Sequence, residues 1–474
     1  MSTALNTARV ALADRQAWLV GGALRDRLLG RETADLDIVV EGDTGDAARA
    51  ISRAAGRAAC FALSEEFGSW RVVGRGSSWQ VDVEPLRGET LEQDLALRDF
   101  TVNAIAEPLT EGAPIDPLGG MADLEAGRLR MASPRAFADD PLRVLRLVRL
   151  AIELDLTPER QTANSAREQA GRLREISPER VFAELRRIIS APRAREGLEL
   201  MEALGATSVV LPEIEGLRGV EQNRFHHRDV HGHTLEVLDR TIELGAPAPG
   251  QSIELERVIG PHREQVRALL EEPLADELSR GEALRWGALL HDAAKPLTRG
   301  VRPGDGRVTF IGHDVRGAQL AREVLTRLRA SERLRAYVAA LVRHHLRLGF
   351  LVHEPQPLSR RTVFAYLRTC SPVEADVTLL SVADRLATRG DRAEEAIDAH
   401  LEVARKMLGD ALRWRSEGPP EPLLRGDELA QELAIPVGPQ VGELLDALAE
   451  ARYAGELGTR EQALLYARDL LQNN

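Results

Sequence analysis

The chain has 474 residues, of which 43% are hydrophobic and 29% charged, and its formal net charge is −12. This length predicts several domains, and the negative charge argues against a uniformly basic surface for nucleic acid, although it leaves room for a local basic groove. No apolar run approaches the about 20 residues of a membrane span, and the first residues lack the apolar core of a signal peptide, so we expect a cytoplasmic protein with no membrane partner. Because only Cys60 and Cys370 carry thiols, we expect no disulfide framework and no thiolate zinc site.

The first predicted elements are a strand, a glycine turn, a helix and a second strand, all between residues 18 and 40. An apolar run meets Gly21 and Gly22, and the segment ends in Asp35 and Asp37. Residues two apart on a strand share a face, so these carboxylates repel each other unless a divalent cation lies between them. The glycines let backbone N–H groups approach a phosphate. The segment therefore predicts a metal-dependent phosphoryl or nucleotidyl transfer site.

A third carboxylate, Asp82, is predicted to lie on a later strand. A helix over 44–55 is followed by short strands around 58–63, 70–73 and 79–83. Two carboxylates would hold one or two Mg²⁺ ions, and the third would take a proton from the attacking hydroxyl. The alternative for Asp82 is an ordinary solvated side chain.

Polar residues then interrupt an apolar run at Arg98, Asp99 and Asn103. The arginine suits a phosphate, and the aspartate and asparagine could hydrogen-bond a ribose. The alternative is that a helix begins here and that Asp99 or Thr101 is its N-cap.

A helix is predicted to begin at residues 139–141, with acids and a proline in its first turn. Asp140, Arg143, Arg146 and Arg149 stand three apart, so we expect them to form one ridge. A carboxylate and a guanidinium on that ridge could meet the Watson–Crick edge of a base, and the later arginines could meet phosphates. A solvated arginine face is the alternative.

Four motifs in this order resemble those of class II tRNA nucleotidyltransferases, the CCA-adding enzymes and their bacterial poly(A) polymerase relatives. The motifs are Gly21-Gly22-x-x-Arg25-Asp26, Asp35-x-Asp37, Arg98-Asp99-Phe-Thr-x-Asn103-Ala and Asp139-Asp140-Pro-Leu-Arg143-Val-Leu-Arg146. Ser177-Pro178-Glu179-Arg180 with Glu184 resembles the family's next motif, so the resemblance covers about residues 15–205.

The resemblance implies a polymerase-β-like palm that adds C or A from CTP or ATP to a tRNA 3′ end and releases pyrophosphate. By the same resemblance Asp35 and Asp37 would bind Mg²⁺, and Gly21, Gly22, Arg25, Asp26, Arg98, Asp99 and Asn103 would line the nucleotide. Asp140 and Arg143 would read the base, with Arg146 and Arg149 supporting the pocket.

The chain departs from the family pattern at two residues and in one length. Asp139 replaces the usual Glu, and Leu97 replaces the first arginine of Arg-Arg-Asp. Only residues 83–97 separate the Asp82 strand from Arg98, where CCA-adding members have a longer flexible loop. Members without that loop tend to add only CC, so CC-only addition is expected at least as much as full CCA addition.

Histidines are concentrated between residues 206 and about 400, on predicted helices that could build an octahedral N/O metal site. This half resembles the HD phosphohydrolase domain, in which a metal-bound hydroxide attacks a phosphoester. The resemblance implies a divalent transition metal or Mg²⁺. The implied ligands are His233, His291, Asp292 and Asp384, with His313 and His344 added in two-metal versions.

These observations predict an α/β nucleotidyltransferase palm followed by mostly α-helical neck, HD and tail domains. The expected limits are 1–125 for the head, 126–205 for the neck, 206–415 for the HD domain and 416–474 for a tRNA-contacting tail. One alternative is an HD phosphohydrolase whose N-terminal half mainly binds RNA. A second is a poly(A) polymerase, which the acidic balance and the absence of a basic tail disfavour.

Overall fold

The structure is a computed structural model that describes residues 3–31, 33–64, 67–222, 227–246, 251–304, 306–390 and 393–472. The chain divides into two compact units, residues 1–210 and 211–474. Among the described residues, no helix is long and apolar enough to cross a membrane. The four predicted domain limits remain predictions at this level of division.

The first unit is built on a six-stranded mixed sheet, which confirms the predicted alternation of strands and helices. The strands are β1 (Ala17–Val20), β2 (Asp35–Val40), β3 (Ala59–Ser64), β4 (Ser69–Val73), β5 (Gln80–Pro85) and β6 (Ala106–Pro108). Their spatial order is β3-β4-β5-β2-β1-β6, and β2 and β5 are parallel whereas the other neighbours are antiparallel.

Helices pack on both faces of this sheet and continue into a helical bundle. They are α1 (Thr3–Ala11), α2 (Gly21–Leu28), α3 (Thr44–Ala54), α4 (Leu91–Ala96), α5 (Gly120–Glu125), α6 (Ala136–Asp139), α7 (Arg143–Leu154), α8 (Arg160–Gln169), α9 (Pro178–Ser190), α10 (Ala194–Ala203) and α11 (Thr207–Val210). A short parallel pair, β7 (Arg128–Leu129) and β8 (Thr157–Pro158), lies beside the bundle.

Strand alternation decides which face of the sheet is covered. Leu36, Ile38 and Val40 are buried against a core that includes residues of α1 and α3. Their neighbours Asp35 and Asp37 point to the opposite face. The carboxylates therefore lie on the other face, which Leu91 and Leu95 of α4 cover only in part and which we call the open face of the sheet.

The second unit is mostly helical. Its helices are α12 (Pro212–Glu215), α13 (Val230–Leu244), α14 (Ile253–Ile259), α15 (Arg263–Glu271), α16 (Arg280–Leu290), α17 (Lys295–Thr298), α18 (His313–Arg327), α19 (Glu332–His344), α20 (Arg347–Leu351), α21 (Arg360–Cys370), α22 (Glu374–Leu386), α23 (Ala393–Glu417), α24 (Gly426–Leu433), α25 (Pro439–Ala454) and α26 (Arg460–Gln472). Two small hairpins pair β9 (Pro273–Ala275) with β10 (Leu278–Ser279) and β11 (Gly300–Val301) with β12 (Val308–Thr309). The last three helices share their own apolar core.

Candidate active site and metal centre

The three predicted carboxylates of the first unit meet on the open face of the sheet. Asp35 and Asp37 stand two residues apart on β2, and the parallel register pairs Asp37 directly with Asp82 on β5. Glu84, two residues after Asp82, faces the same way. Sequence reasoning missed Glu84, although its alternation with Asp82 was a usable signal.

The glycine turn brings a guanidinium to this cluster. Gly21 has φ +68°, a backbone conformation that favours glycine. A Cβ at this position would lie 3.1 Å from both Arg98 Nη1 and Asp37 Oδ2, so Gly21 lies between the two charged groups. Buried Asp94 on α4 orients Arg98 by accepting hydrogen bonds of 3.1 Å from its Nε and Nη2.

The electrostatics of this cluster suit a divalent cation. Burial, together with the negative charges of Glu84, Asp82 and Asp35, raises the pKa of Asp37 to about 6, although Arg98 opposes the shift. Like charges gathered at a buried carboxylate disfavour ionisation unless a cation compensates them. The oxygen donors on one face are ligands that Mg²⁺ accepts, so the residues present fit the implied ion.

Asp82 is not a free carboxylate in this structure. Arg71, its partner across β4 and β5, donates from Nε to Oδ1 and from Nη2 to Oδ2, both at 2.7 Å. This bidentate geometry fixes the orientation of both groups. Sequence reasoning did not single out Arg71, because the pairing depends on strand register.

The predicted nucleotide residues after the glycine turn form a connected chain of hydrogen bonds. Arg25 donates to Asp26 at 2.8 Å and from Nη1 to the Asn103 side chain at 2.6 Å. Asn103 in turn donates to Asp99 at 2.9 Å. A Cβ on Gly22 would lie 3.4 Å from Arg25 Nη2, so the Arg25 guanidinium lies directly against the glycine turn.

Asp99 links this chain to α7. The carboxylate is buried and accepts from Arg146 Nε at 2.9 Å and Nη2 at 2.5 Å. Burial alone would raise the pKa of Asp99, but the Arg146 guanidinium and the hydrogen bonds from Asn103 and the Phe100 amide hold it well below its usual range. Asp99 therefore ties the head to the helical bundle.

The predicted ridge of Asp140 and three arginines needs correction. The helix begins at Arg143, and Asp140 has extended backbone before it. Arg149 is buried, donating to Glu184 at 2.6 Å and to Glu153 at 2.8 Å. The ridge is thus divided between a buried network and the start of the helix.

The two candidate base-reading side chains are both engaged. Asp140 accepts a 2.7 Å hydrogen bond from Arg180 on α9. Arg143 donates to the carbonyl oxygen of Leu97 at 2.8 Å and to those of Arg98 and Ala136 at 3.2 Å. Arg143 therefore lies against the backbone of Arg98, whereas Asp140 lies just before α7 and is held by α9.

In the second unit, histidine Nε2 atoms converge on Asp292. The Asp292 Oδ2 atom lies 3.1 Å from His291 Nε2 and 3.7 Å from His233 Nε2, and the latter is 3.0 Å from Asp384 Oδ1. On the other side, Asp292 Oδ1 lies 3.3 Å from His313 Nε2. These residues come from α13, α22, the end of α16 and the start of α18, so packing of four helices assembles the group.

The structure places His345, not the predicted His344, in this group. His345 Nε2 lies 3.2 Å from His313 Nε2 and 3.9 Å from Asp292 Oδ1. His344, the last residue of α19, instead accepts a 3.0 Å hydrogen bond from Arg347. Adjacent residues point in different directions around a helix end, and the sequence does not say which one faces inward.

The histidine rings are oriented as metal ligands are. The Nδ1 atoms of His291, His313 and His345 each lie 2.7 Å from the backbone carbonyl three residues earlier. A ring whose Nδ1–H donates to that carbonyl has the lone pair of its Nε2 available for a metal ion. Burial, with nearby His291, lowers the pKa of His345 to about 4, which keeps that ring neutral. The donor set fits a divalent metal with N/O ligands.

A cavity of about 1190 Å³ opens beside this group. Lys295 Nζ, within that lining, lies 2.6 Å from Asp292 Oδ2 and donates to Gln222 at 2.6 Å. Sequence reasoning missed Lys295, although it is one of only two lysines in a chain with abundant arginine.

Three family models match successive parts of the chain. They are the poly A polymerase head domain over 17–130, the probable RNA- and SrmB-binding site of polymerase A over 155–217 and the HD domain over 262–389.

Curated relatives match along almost the whole chain. An A-adding tRNA nucleotidyltransferase of Deinococcus radiodurans is 38% identical over 95% of each chain. A CC-adding tRNA nucleotidyltransferase of Thermus thermophilus is 35% identical, covering 96% of this chain and 94% of its own length.

Solved structures share the fold at lower identity. A CCA-adding enzyme in apo form I has a TM-score of 0.62 and 19% identity, covering 98% of this chain and 93% of its own. The Thermotoga maritima CCA-adding enzyme complexed with tRNA has a TM-score of 0.60 and 19% identity, with 98% and 95% coverage. Because two curated relatives exceed 30% identity over nearly the full length, the resemblance of the motifs is confirmed, and the chain belongs to the tRNA nucleotidyltransferase family, with a poly A polymerase-type head and an HD domain.

Proposed function

We propose that the chain transfers CMP from CTP to the 3′ end of tRNA. The observation that carries this proposal is the carboxylate cluster on the open face, where Asp37 lies beside the Gly21 turn and Arg98. In the reaction, Asp82 takes the proton of the terminal 3′ hydroxyl, and the 3′ oxygen forms a bond to the α-phosphorus. The bond from that phosphorus to the bridging oxygen of the β-phosphate breaks, and pyrophosphate leaves with the electron pair.

Each side chain has a defined task in this proposal. Asp35 and Asp37 would hold Mg²⁺, which when bound neutralises phosphate charge and lowers the pKa of the attacking hydroxyl. The backbone of the glycine turn, with Arg25 and Arg98, binds and orients the triphosphate. Asp82 is the third carboxylate, held in place by Arg71.

Base selection is assigned to Asp140 and Arg143, which together offer acceptors and donors of fixed geometry. Asp140 is bound to Arg180 in this structure, so reading a base requires that carboxylate to share or exchange its partner. The pair between buried Asp99 and half-buried Arg146 fixes the position of α7 and thereby of the pocket.

The short connection after β5 supports addition that stops at CC. Only residues 86–90 join β5 to α4, and this segment is held by local hydrogen bonds. Arg87 N donates to Asp94 at 3.1 Å, Glu89 N donates to the Gln93 side chain at 2.8 Å, and Thr90 caps α4. A tight, capped connection leaves no chain length for a flexible loop that could switch the pocket to ATP.

Addition of A alone is a second candidate, which sequence reasoning had not included. It is favoured by the D. radiodurans relative, which is named A-adding and is 38% identical. The two candidates require different acceptors, since A addition starts from a tRNA that already ends in CC.

The test supplies tRNA ending before CCA and tRNA ending in CC with CTP, ATP or both, and reads the products by sequencing. The proposal expects two C residues on the first acceptor and none on the second. Incorporation of ATP only on the CC-ended acceptor would replace the proposal of CC addition with A addition. A complete CCA on the first acceptor would refute the argument that the short connection after β5 stops addition at CC.

The site assignment is tested separately with Asp37→Asn, a nearly isosteric change. We expect incorporation to fall by at least about 1000-fold while tRNA binding persists, because preorganised charge in the transition state is lost. Asp14→Asn, an exposed carboxylate after α1, is the matched control. Retained incorporation in Asp37→Asn contradicts the assignment. The requirement for Mg²⁺ is tested by removing the ion with a chelator and then adding it back.

For the second unit we propose a divalent metal centre that hydrolyses phosphoesters. Its support is the convergence of Nε2 atoms on Asp292. His233, His291, Asp292 and Asp384 would hold one ion, and His313 with His345 would hold a second. A bound metal would supply a hydroxide nucleophile, and Lys295 beside the cavity would bind a phosphate oxygen.

The two activities are separable by substitution. Asp292→Ala should abolish hydrolysis of bis-p-nitrophenyl phosphate by protein reconstituted with Mn²⁺, Ni²⁺ or Mg²⁺ and leave nucleotidyl transfer intact. Asp35→Ala should do the reverse. Hydrolysis that survives Asp292→Ala contradicts the proposal.

We also propose the four domain limits given above, to be tested by limited proteolysis.

A further inference from the structure

A row of side chains crosses the open face from the edge of the sheet to the catalytic pair. Strand register pairs Phe61 on β3 with Arg71 on β4, Arg71 with Asp82 on β5, and Asp82 with Asp37 on β2. Directly paired residues point to the same face of a sheet. The row therefore runs from an aromatic ring through a cation to two carboxylates.

The aromatic end of this row is left in water. Phe61 is 47% exposed on the edge strand β3. On the other face of β4 and β5, by contrast, Val72 and Val81 are fully buried. Leu63 on the same strand as Phe61 is 43% exposed as well, so the β3 edge of the sheet presents apolar side chains to water, and Phe61 is the one in line with the carboxylates.

The cation in the row has hydrogen-bonding capacity left over. Asp82 engages Nε and Nη2 of Arg71, while the Nη1 amino group is not part of that pair. An arginine fixed by a carboxylate on one side can bind a phosphate oxygen on the other.

The triphosphate binds on the opposite side of Asp37. The glycine turn begins where β1 ends, and β1 borders β2 on the side away from β5. Arg98 lies on that side as well, against Gly21. In-line displacement requires the attacking oxygen and the leaving pyrophosphate to lie on opposite sides of the phosphorus. The attacking strand must then approach from the β5 side, where the row lies.

We propose that this row, Phe61–Arg71–Asp82–Asp37, is the binding site for the 3′-terminal nucleotides of the acceptor RNA. The inference rests on the proposed function and adds the acceptor's path. A base stacks on Phe61, a backbone phosphate binds Arg71, and the terminal hydroxyl lies at Asp37. The row spans three strand spacings, or about 14 Å. Stacking accepts every base, which suits acceptor ends that differ in sequence and change during addition.

The test is the steady-state kinetics of Phe61→Ala and Phe61→Tyr with tRNA lacking CCA. Stacking on one base is worth about 1–3 kcal/mol, so the KM for tRNA should rise about 5- to 150-fold in Phe61→Ala while the KM for CTP stays unchanged. Phe61→Tyr keeps a stacking ring and should stay within about 3-fold of the parent. Val10→Ala, which truncates an exposed apolar residue of α1, is the matched control and should change neither constant.

Salt dependence examines the phosphate contact. Removing one phosphate contact with a single strand reduces the slope of log KM for tRNA against log salt by about 0.7. Arg71→Gln should show this reduction, and Phe61→Ala should keep the parental slope.

The outcomes separate this inference from the proposed function. Absence of incorporation by the parent protein overturns both. If the parent incorporates nucleotide but Phe61→Ala keeps the parental KM for tRNA, or raises the KM for CTP equally, the acceptor binding site is wrong and the proposed function stands. If Phe61→Ala does not fold, Phe61→Leu, which keeps volume but not a ring, takes its place with the same expectation.

Discussion

Replacing Arg146 by glutamine should destabilise the first unit, because it leaves the Asp99 carboxylate buried without its cation. Asp99 would lose the hydrogen bonds of 2.9 and 2.5 Å from Arg146 and keep those from Asn103 and the Phe100 amide. Removing one partner of a buried ion pair costs about 3–5 kcal/mol. The Arg146 side chain is 35% exposed, so we expect the lower end, about 3 kcal/mol.

The assay is scanning calorimetry of the full chain. For a unit of this size, about 3 kcal/mol corresponds to a fall in Tm of roughly 6–12 °C in the transition of the first unit. Arg135→Gln is the matched control, because the 82% exposed side chain of Arg135 pairs with Asp139 on the surface. Such a pair contributes about 0.5 kcal/mol or less. A fall no larger for Arg146→Gln than for this control would refute the reasoning.

A double-mutant cycle with Asp99→Asn isolates the pair, and we expect a coupling of about 1–3 kcal/mol. The pKa of Asp99 is lowered in the folded state, so its contribution to stability is complete above the unfolded pKa of about 3.9 and is lost as the pH falls toward the folded pKa. The difference between parent and Arg146→Gln should therefore be constant from pH 5 to 8 and shrink below pH 4. A difference that grows on acidification would contradict this sign.

Three further predictions have distinct readouts. Gly21→Ala should lower kcat about 100-fold or more, because a Cβ in this left-handed position displaces the Asp37 carboxylate. Rapid-quench single-turnover experiments would measure this loss. His345→Gln should lower the metal content of reconstituted protein, measured by plasma mass spectrometry, whereas His344→Gln should leave it unchanged. Arg280→Met should lower the Tm of the second unit, because the buried Asp376 carboxylate loses its cation at a cost of about 3–5 kcal/mol. Equal Tm values for the parent and the variant would contradict this.

Local sequence patterns predicted much of the head. Alternation along a strand was enough to predict that Asp35 and Asp37 share a face, because side-chain direction on a strand has a period of two. The Gly21-Gly22 turn and the order of the four motifs pointed to the family, which the relatives confirmed. The helical character of the second half also followed from the sequence. The resemblance further supplied five of the six members of the metal-ligand group, which is His233, His291, Asp292, His313, His345 and Asp384.

Contacts between distant segments were beyond those patterns. The choice of His345 over His344 depends on which side of a helix end packs inward, and adjacent residues cannot be told apart by spacing. The arginines of α7 were expected on one ridge, but Glu184 from another helix draws Arg149 into the interior. Burial of an arginine depends on a carboxylate supplied elsewhere in the chain.

Local sequence patterns predicted the chemistry of this protein, since a carboxylate pair beside a glycine turn is a feature of one short segment. Only the fold places other side chains in line with that pair. The parallel pairing of β2 with β5 and the antiparallel pairing of β4 with β5 set Asp82, Arg71 and Phe61 in line with Asp37. The physical reason is that register between strands is fixed by core packing and hydrogen bonding across the sheet, which no single segment carries.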